Sequence, residues 1–221
     1  MKQRSRPGCW PRRDLRPSLR LMLVAGPGDC RGRHLPDVVA AAVRGGVTVV
    51  QLRYKDADTR TLLEEARALK ALLDPLNVPL LINDRADVAR AVCAAGVHVG
   101  QTDLPAAEAR RILGPEAIIG LTVKTLDHVR EAETLDVDYL GVGPIYPSPT
   151  KPDAGQVLGP DGLRAFVEAT RLPVVAIGGI GLENAREVYA CGVAGVAVVS
   201  AITAARDPEA VAQELLEQGR A

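Results

Sequence analysis

The sequence predicts a single α/β domain, a (β/α)8 TIM barrel that occupies residues 21–221. After residue 20, eight short apolar segments alternate with eight segments of helical periodicity. The apolar segments are continuous runs rather than polar–apolar alternations, which is typical of parallel strands that helices cover on both faces. The chain has 221 residues, a length that suits one barrel of eight strand–helix units of about 25 residues each.

Each element follows from its local composition. The predicted strands cover 21–26, 47–53, 78–84, 96–100, 117–122, 137–143, 172–180 and 193–202. The predicted helices cover 35–46, 59–74, 86–96, 105–113, 125–135, 161–170, 182–192 and 207–219. A doubly wound open sheet is the alternative, but its first turn would need the spacing G-x-G-x-x-G, which the segment AGPGDCRG does not supply.

Residues 1–20 differ from the rest of the chain. They hold seven Lys or Arg residues, one acid and three prolines. The apolar run that follows, LMLVAG, is shorter than the roughly 7–15 residues of a signal-peptide core. The composition therefore predicts a basic, disordered N-terminal extension ahead of the barrel domain.

The overall composition limits which partners the protein is expected to bind and indicates its cellular compartment. The formal net charge is zero and aromatic residues make up 3%, so there is no general case for binding nucleic acid or a membrane. The four cysteines lie far apart without a C-x-x-C pair, which indicates neither a zinc site nor a disulfide framework. We expect reduced thiols and a cytoplasmic protein. A homo-oligomer is possible, and the sequence does not determine the oligomeric state.

Active sites of such barrels lie where the strands end. Strand 2 ends with Gln51, Arg53 and Lys55 at alternating positions, which places their side chains on one side of an extended segment. An amide and two cations suit a polyanion that carries a nitrogenous ring. A solvated strand end is the plainer alternative.

Two carboxylates follow the next two strands. Asn83 and Asp84 end strand 3, and Asp103 follows strand 4. They could form an acid/base pair or bind Mg²⁺, which proteins usually hold by one or two carboxylates plus substrate phosphates. The nearby cations indicate phosphate and therefore favour the metal. The alternatives are a turn for Asp84 and a helix N-cap for Asp103.

The remaining strand ends predict a second anion site. A Pro/Gly-rich loop at 143–155 carries two hydroxyls and a cation, and glycines and backbone N–H groups follow strands 7 and 8. Two phosphorylated substrates facing each other across one barrel suggest a transferase. No Ser-His-Asp set assembles, and His98, inside strand 4, is interpreted as a satisfied core histidine. The residues of this second site are Ser148, Thr150, Lys151, Gly178, Gly179, Val199 and Ser200.

Six segments, in this order, resemble the thiamine-phosphate synthase family: VQLRYK, LINDRADVARAV, GVHVGQTDLP, YLGVGPIYPSPTK, PVVAIGGI and GVAVVSAI. The resemblance runs over about residues 21–219. It implies an Mg²⁺-dependent transferase that joins 4-amino-2-methyl-5-hydroxymethylpyrimidine diphosphate to a thiazole phosphate, giving thiamine phosphate and diphosphate. The amino group of the pyrimidine can stabilise a carbocation after diphosphate leaves, so the resemblance is compatible with a dissociative path.

The resemblance also implies roles for individual residues. Asp84 and Asp103 would bind Mg²⁺, and Thr122, where the family usually has serine, keeps the hydroxyl. The residues implied as catalytic are Arg53, Lys55, Thr122 and Lys151. Those implied to bind the pyrimidine diphosphate are Gln51, Leu52, Arg53, Tyr54, Lys55, Asn83, Thr122 and Lys151. Those implied to bind the thiazole phosphate are Ser148, Pro149, Thr150, Gly179, Val199 and Ser200.

Two positions depart from the family pattern. Tyr54 replaces a common glutamate, and its side chain is expected to point away from the substrate. Lys124 stands where members often carry histidine. A histidine near that position is catalytic in the related thiazole tautomerases, so Lys124 counts against that alternative activity. A non-catalytic barrel that binds phosphorylated ligands is the third hypothesis.

Overall fold

A computed structural model of the chain describes residues 15–147 and 156–220. Eight parallel strands form a closed barrel in chain order, from β1 next to β2 through to β8 next to β1. The predicted (β/α)8 barrel is therefore confirmed, and seven of the eight strands are shorter than their apolar runs, whereas β5 keeps the predicted length and is shifted by one residue. The strands are β1 Leu21–Ala25, β2 Val49–Leu52, β3 Leu80–Asn83, β4 Gly96–Val99, β5 Ile118–Val123, β6 Tyr139–Val142, β7 Val174–Ile177 and β8 Gly195–Val198.

Helices surround the barrel, and each predicted helix is present. The helices are α1 Arg16–Leu19, α2 Leu35–Arg44, α3 Thr59–Leu73, α4 Ala86–Ala91, α5 Ala106–Leu113, α6 Leu126–Ala132, α7 Gly159–Glu168, α8 Ala185–Tyr189, α9 Ser200–Thr203 and α10 Pro208–Gln218. Three of them, α3, α6 and α10, begin with a side-chain cap; in α3, Asp58 accepts a hydrogen bond from the Thr61 N–H at 2.9 Å. Short 3-10 helices cover Pro27–Cys30 and Asp74–Leu76.

The strands are buried on both faces, which explains their continuous apolar composition. In β2, all four residues are buried. One apolar cluster lies between the barrel wall and the helices and includes Leu52, Ile82 and Leu140. A second, smaller cluster fills the barrel interior and includes Met22, Val49 and Leu81.

Part of the predicted N-terminal extension is folded. Residues 15–20 are folded, and only residues 1–14 lie outside the described part of the chain at this end. Leu15 and Leu19 are 5% and 1% exposed and belong to the cluster inside the barrel. Helix α1 therefore closes the N-terminal end of the barrel. The prediction was wrong for residues 15–20 because two buried leucines outweigh the basic, proline-containing composition around them.

The prediction for the last strand was also too long. The predicted strand reached residue 202, but β8 ends at Val198 and the chain becomes helical at α9. Val199 leaves the strand conformation, with φ −116° and ψ −88°. A continuous apolar run does not distinguish a buried strand from a buried helical turn, and here the run contains both.

Among the described residues, no helix combines the length and the apolar character needed to cross a bilayer.

Candidate active site

A cavity of about 650 Å³ opens where the strands of the barrel end. This is the position of active sites in TIM barrels. The structure brings together in its lining many of the residues that the sequence predicts for the site. They are Gln51, Arg53, Asn83, Thr122, Gly178, Gly179, Val199 and Ser200.

The end of β2 divides its side chains between the cavity and the core. Gln51 and Arg53 line the cavity, as the alternating pattern predicts. Leu52 is fully buried in the outer core, and Tyr54 packs against that core. Both residues were predicted to bind the pyrimidine diphosphate. Their side chains do not line the cavity, because period two turns them towards the helices. For Tyr54 this agrees with the expected outward orientation.

Lys55, Asp84 and Asp103 do not line the cavity themselves. They lie together just beyond the ends of their strands, where Asp84 directly follows the lining residue Asn83, and we call them the rim cluster. The Lys55 Nζ lies 3.0 Å from Asp84 Oδ2, and Asp84 and Asp103 are linked by a side-chain hydrogen bond. Burial raises the pKa of Asp84, and Asp103 raises it further, against the lowering effect of Lys55. The two carboxylates from neighbouring strands thus share one small space, as the sequence predicts.

The plainer interpretation of Asp103 as a helix cap is wrong. Helix α5 has Pro105 at its N-cap position and no side-chain cap. Asp103 instead accepts a hydrogen bond from the Gly100 N–H at 2.8 Å, which holds its carboxylate towards Asp84. Asp84 itself has a positive φ of 63°, and its N–H donates to the His98 carbonyl at 2.8 Å. The backbone therefore keeps Asp84 in the left-handed region that aspartate tolerates better than most residues.

His98 is satisfied, as predicted, but it also lines the cavity. Its Nε2 lies 2.8 Å from Thr122 Oγ1, and its Nδ1 lies 2.8 Å from the Tyr139 hydroxyl. Tyr139 is a lining residue that the sequence analysis missed. A tyrosine inside an apolar strand resembles an ordinary strand former, so only its position on the inward face distinguishes it.

The opposite side of the cavity is made mostly of backbone. Gly178 and Gly179 follow β7 with φ of 103° and 64°. A Cβ atom on Gly179 would lie 2.6 Å from the Pro147 carbonyl oxygen, so only glycine fits there. Val199 and Ser200, at the start of α9, face the same cavity. This half therefore offers the backbone of two glycines and the Ser200 hydroxyl, and backbone N–H groups and hydroxyls are donors suited to a phosphate.

Four predicted residues of the long loop cannot be placed. Ser148, Pro149, Thr150 and Lys151 lie outside the described residues. The chain that leads to them is fixed, since the Tyr146 N–H donates to the Gly178 carbonyl at 3.0 Å. The Tyr146 hydroxyl also donates to Glu187 at 2.8 Å.

Two further cations occupy different places. Arg85 bonds to Asp87 at 2.9 and 2.6 Å and to Thr59 at 3.1 Å. It links the first turns of α3 and α4 and does not line the cavity. Lys124 does line the cavity, so a cation stands in the wall where a tautomerase would need a base.

Comparison with known proteins decides the family. Residues 21–202 match the family model described as thiamine monophosphate synthase. The chain belongs to this family. As a member of the thiamine monophosphate synthase family, it is an enzyme, a transferase of thiamine biosynthesis built on a TIM barrel. The resemblance inferred from the six segments is thereby confirmed.

Curated relatives and solved structures agree with this assignment. The chain is 56% identical to the thiamine-phosphate synthase of Albidiferax ferrireducens over 191 residues, 86% of this chain and 87% of the relative. It is 49% identical to that of Chloroflexus aurantiacus over 196 residues, 89% and 90% of the two chains. The thiamine phosphate pyrophosphorylase structure from Pyrococcus furiosus superposes with a TM-score of 0.85 at 39% identity, covering 94% of this chain and 98% of that one.

More distant structures share only the barrel. The geranylgeranylglyceryl phosphate synthase of Thermoplasma acidophilum has a TM-score of 0.69 at 14% identity, covering 92% and 95% of the two chains. This likeness supports the fold and nothing further.

Proposed function

We propose that this chain condenses 4-amino-2-methyl-5-(diphosphooxymethyl)pyrimidine with 4-methyl-5-(2-phosphooxyethyl)thiazole, giving thiamine phosphate and diphosphate. The observation that carries the proposal is the division of one cavity into two halves. Arg53 and the rim cluster lie on one side, and the donors of Gly179 and Ser200 lie on the other. A family of thiamine monophosphate synthases needs a site of this kind for two phosphorylated substrates.

The cationic half would bind the diphosphate. Arg53 lines the cavity, and Lys55 lies beside Asp84 in the rim cluster. Asp84 and Asp103 would hold Mg²⁺, because the two carboxylates lie together and burial raises the pKa of Asp84, so that a divalent cation could take the place of a proton there. Among the described residues, no cluster of three or more metal-binding side chains occurs. Substrate oxygens or water would therefore complete the coordination. Bound Mg²⁺ would neutralise charge on the diphosphate.

The backbone half would bind the thiazole phosphate. Gly178 and Gly179 adopt positive φ, which turns their peptide groups along the cavity wall. The Ser200 hydroxyl faces the same space. Val199 would contribute its backbone, and Ser148 and Thr150 would add hydroxyls from the long loop. These donors match a dianionic phosphate without a second metal.

The reaction would proceed by departure of diphosphate. The C–O bond between the pyrimidine methylene and the diphosphate breaks, and the electron pair leaves with the diphosphate. Arg53, Lys55 and Lys151 stabilise the charge that builds there. Thr122 and Gln51 hold the pyrimidine ring, and the thiazole nitrogen on the opposite side forms the new C–N bond.

A direct assay tests the proposal. Purified protein, both substrates and Mg²⁺ should give thiamine phosphate and diphosphate in equal amounts. Release of neither product would contradict the proposal. Isomerisation of a thiazole phosphate in the absence of the pyrimidine would favour the tautomerase instead, and binding without turnover would favour a non-catalytic barrel.

We also propose a cytoplasmic location. Cys30, Cys93 and Cys191 are free thiols, which suits a reducing compartment. The partners would be the two small phosphorylated substrates, without nucleic acid or membrane. A homo-oligomer is the assembly to test by light scattering.

A further inference from the structure

Four polar side chains inside the barrel form one hydrogen-bonded series, which we call the polar chain. Thr122 bonds to His98, and His98 bonds to Tyr139, both at 2.8 Å. Tyr139 in turn hydrogen-bonds with the side chain of Gln51. Both ends of the polar chain, Gln51 and Thr122, line the cavity where the proposed pyrimidine would lie. His98 and Tyr139 have no part in the proposed reaction.

The barrel is shaped to hold the two middle members. A Cβ atom on Gly120 would lie 2.2 Å from Tyr139 Cζ and 2.4 Å from His98 Nδ1. A Cβ atom on Gly141 would lie 2.9 Å from His98 Cε1. Gly120 and Gly141 therefore leave the space inside the barrel that the rings of His98 and Tyr139 occupy. Tyr139 is only 1% exposed, so its hydroxyl must find its partners within the protein.

The contacts give the polar chain a direction. The Gln51 Nε2 group donates to the Met22 sulfur at 3.5 Å, which turns the amide nitrogen inward. With the nitrogen on this side, we infer that the amide N–H also donates to the Tyr139 oxygen, its side-chain hydrogen-bond partner. The Tyr139 O–H then donates to His98 Nδ1.

The remaining polarity follows from the chemistry of imidazole. A neutral imidazole has one acceptor nitrogen and one donor nitrogen. If Nδ1 accepts from Tyr139, Nε2 carries the proton and donates to Thr122 Oγ1. Thr122 must then donate its own proton elsewhere, towards the cavity. At the other end, Gln51 is left with its carbonyl oxygen for the ligand.

We propose that Tyr139 and His98 are positioning residues that hold Gln51 as an acceptor and Thr122 as a donor, and thereby select the 4-amino over the 4-oxo form of the pyrimidine substrate. The inference rests on the proposed function of the cavity. A 4-aminopyrimidine offers a donor at its amino group and acceptors at its ring nitrogens. The 4-oxo form presents a carbonyl and a ring N–H, which reverses the pattern and leaves buried groups unpaired.

A kinetic comparison tests the selectivity. Tyr139→Phe removes one hydroxyl, keeps the ring and frees the Gln51 amide to turn. The ratio of kcat/KM for the 4-amino diphosphate over its 4-oxo analogue should fall by about 10- to 100-fold. The KM for thiazole phosphate should not change. Tyr189→Phe is the control, because that hydroxyl is likewise hydrogen-bonded within the protein, to the Arg20 carbonyl at 2.9 Å, but does not line the cavity.

A spectroscopic measurement tests the polarity without turnover. ¹⁵N NMR of the imidazole rings should show His98 protonated at Nε2 and unprotonated at Nδ1. The chain has three histidines, and His34→Gln and His128→Gln assign the signals. In Tyr139→Phe this tautomer should lose its dominance.

The outcomes separate the two proposals. No thiamine phosphate from the wild-type chain contradicts the proposed function, whatever the tautomer. An active wild-type enzyme whose selectivity survives Tyr139→Phe overturns the inference, and so does a His98 ring protonated at Nδ1. Equal losses of selectivity in Tyr139→Phe and Tyr189→Phe would indicate a general structural effect and would also overturn it.

Discussion

The Lys55 ammonium group lies 3.0 Å from Asp84 Oδ2, while Asp84 is also hydrogen-bonded to Asp103. Lys55 thus contacts Asp84, whose charged form is destabilised by burial and by the neighbouring Asp103. If the rim cluster holds Mg²⁺ as proposed, Asp84 gains another positive partner, and Lys55 could then turn to an incoming diphosphate.

Replacing either acid of the rim cluster should separate the two halves of the site. We expect Asp84→Asn and Asp103→Asn each to weaken Mg²⁺-dependent diphosphate binding by about 10- to 100-fold, because a charged ligand is lost. Thiazole phosphate binding should change little. Titration calorimetry with each ligand measures both effects. Asp127→Asn is the control, because that carboxylate is 78% exposed on α6. An equal loss of thiazole phosphate binding would contradict the division into two halves.

Asp84→Asn should also make the metal-free protein more stable at neutral pH. The folded-state pKa of Asp84 is raised by burial and by Asp103, so the stability it contributes is present at low pH and lost as the pH rises through that pKa. At neutral pH the ionised carboxylate therefore destabilises the fold. We expect Asp84→Asn to raise Tm by about 1–3 °C at neutral pH, and asparagine also tolerates positive φ.

The acid range provides the control for this prediction. The difference in Tm between Asp84→Asn and the wild type should shrink as the pH falls below the pKa of Asp84, where the wild-type side chain is protonated. A stability gain that stays constant with pH would show that backbone conformation, rather than charge, accounts for the effect.

Gly179→Ala should damage the backbone half alone. The residue has φ of 64°, and the new Cβ would lie 2.6 Å from the Pro147 carbonyl oxygen, so the chain must shift. We expect the KM for thiazole phosphate to rise about tenfold or more, from strain of roughly 1–2 kcal/mol together with the displaced donors. Gly28→Ala is the control, since a Cβ there meets nothing within 4 Å. Steady-state kinetics with the pyrimidine substrate saturating would reveal an unexpected loss of the other half.

Leu19→Ala should destabilise the whole barrel. Leu19 is 1% exposed and fills the N-terminal end of the interior, so its truncation leaves a cavity that should lower the free energy of unfolding by about 2–5 kcal/mol. Chemical denaturation measures the change. Leu76→Ala, at a leucine that is 49% exposed, should have little effect. Comparable stability of the two variants would show that α1 is dispensable.

The sequence predicted the parts of the fold that depend on continuous apolar composition. The eight strands and the eight helices that alternate with them were predicted, because two-sided burial marks the strands and periodicity marks the helices. The meeting of Asp84 and Asp103 was predictable too, since neighbouring parallel strands end at the same rim.

The missed features depend on three-dimensional neighbours. Leu15 and Leu19 lie among basic residues and prolines, and nothing local shows that the barrel end receives them. Helix α9 was hidden within an apolar run that suits strand and helix equally. Tyr139 was overlooked because its importance comes from His98, which is 41 residues away in the chain.

Helix α1 affects how substrates enter the barrel and how products leave it. In the described part of the chain, Leu15 and Leu19 fill one end of the barrel, so we expect the reactants and the products to pass through the opening at the other end. Gln51 and Thr122 lie on inward strand positions, whereas Ser200 and Gly179 follow their strands and lie nearer to solvent. A pyrimidine seated at the deeper positions is covered by whatever occupies the outer ones. The substrates would therefore bind in a fixed order, with the pyrimidine diphosphate entering the cavity before the thiazole phosphate.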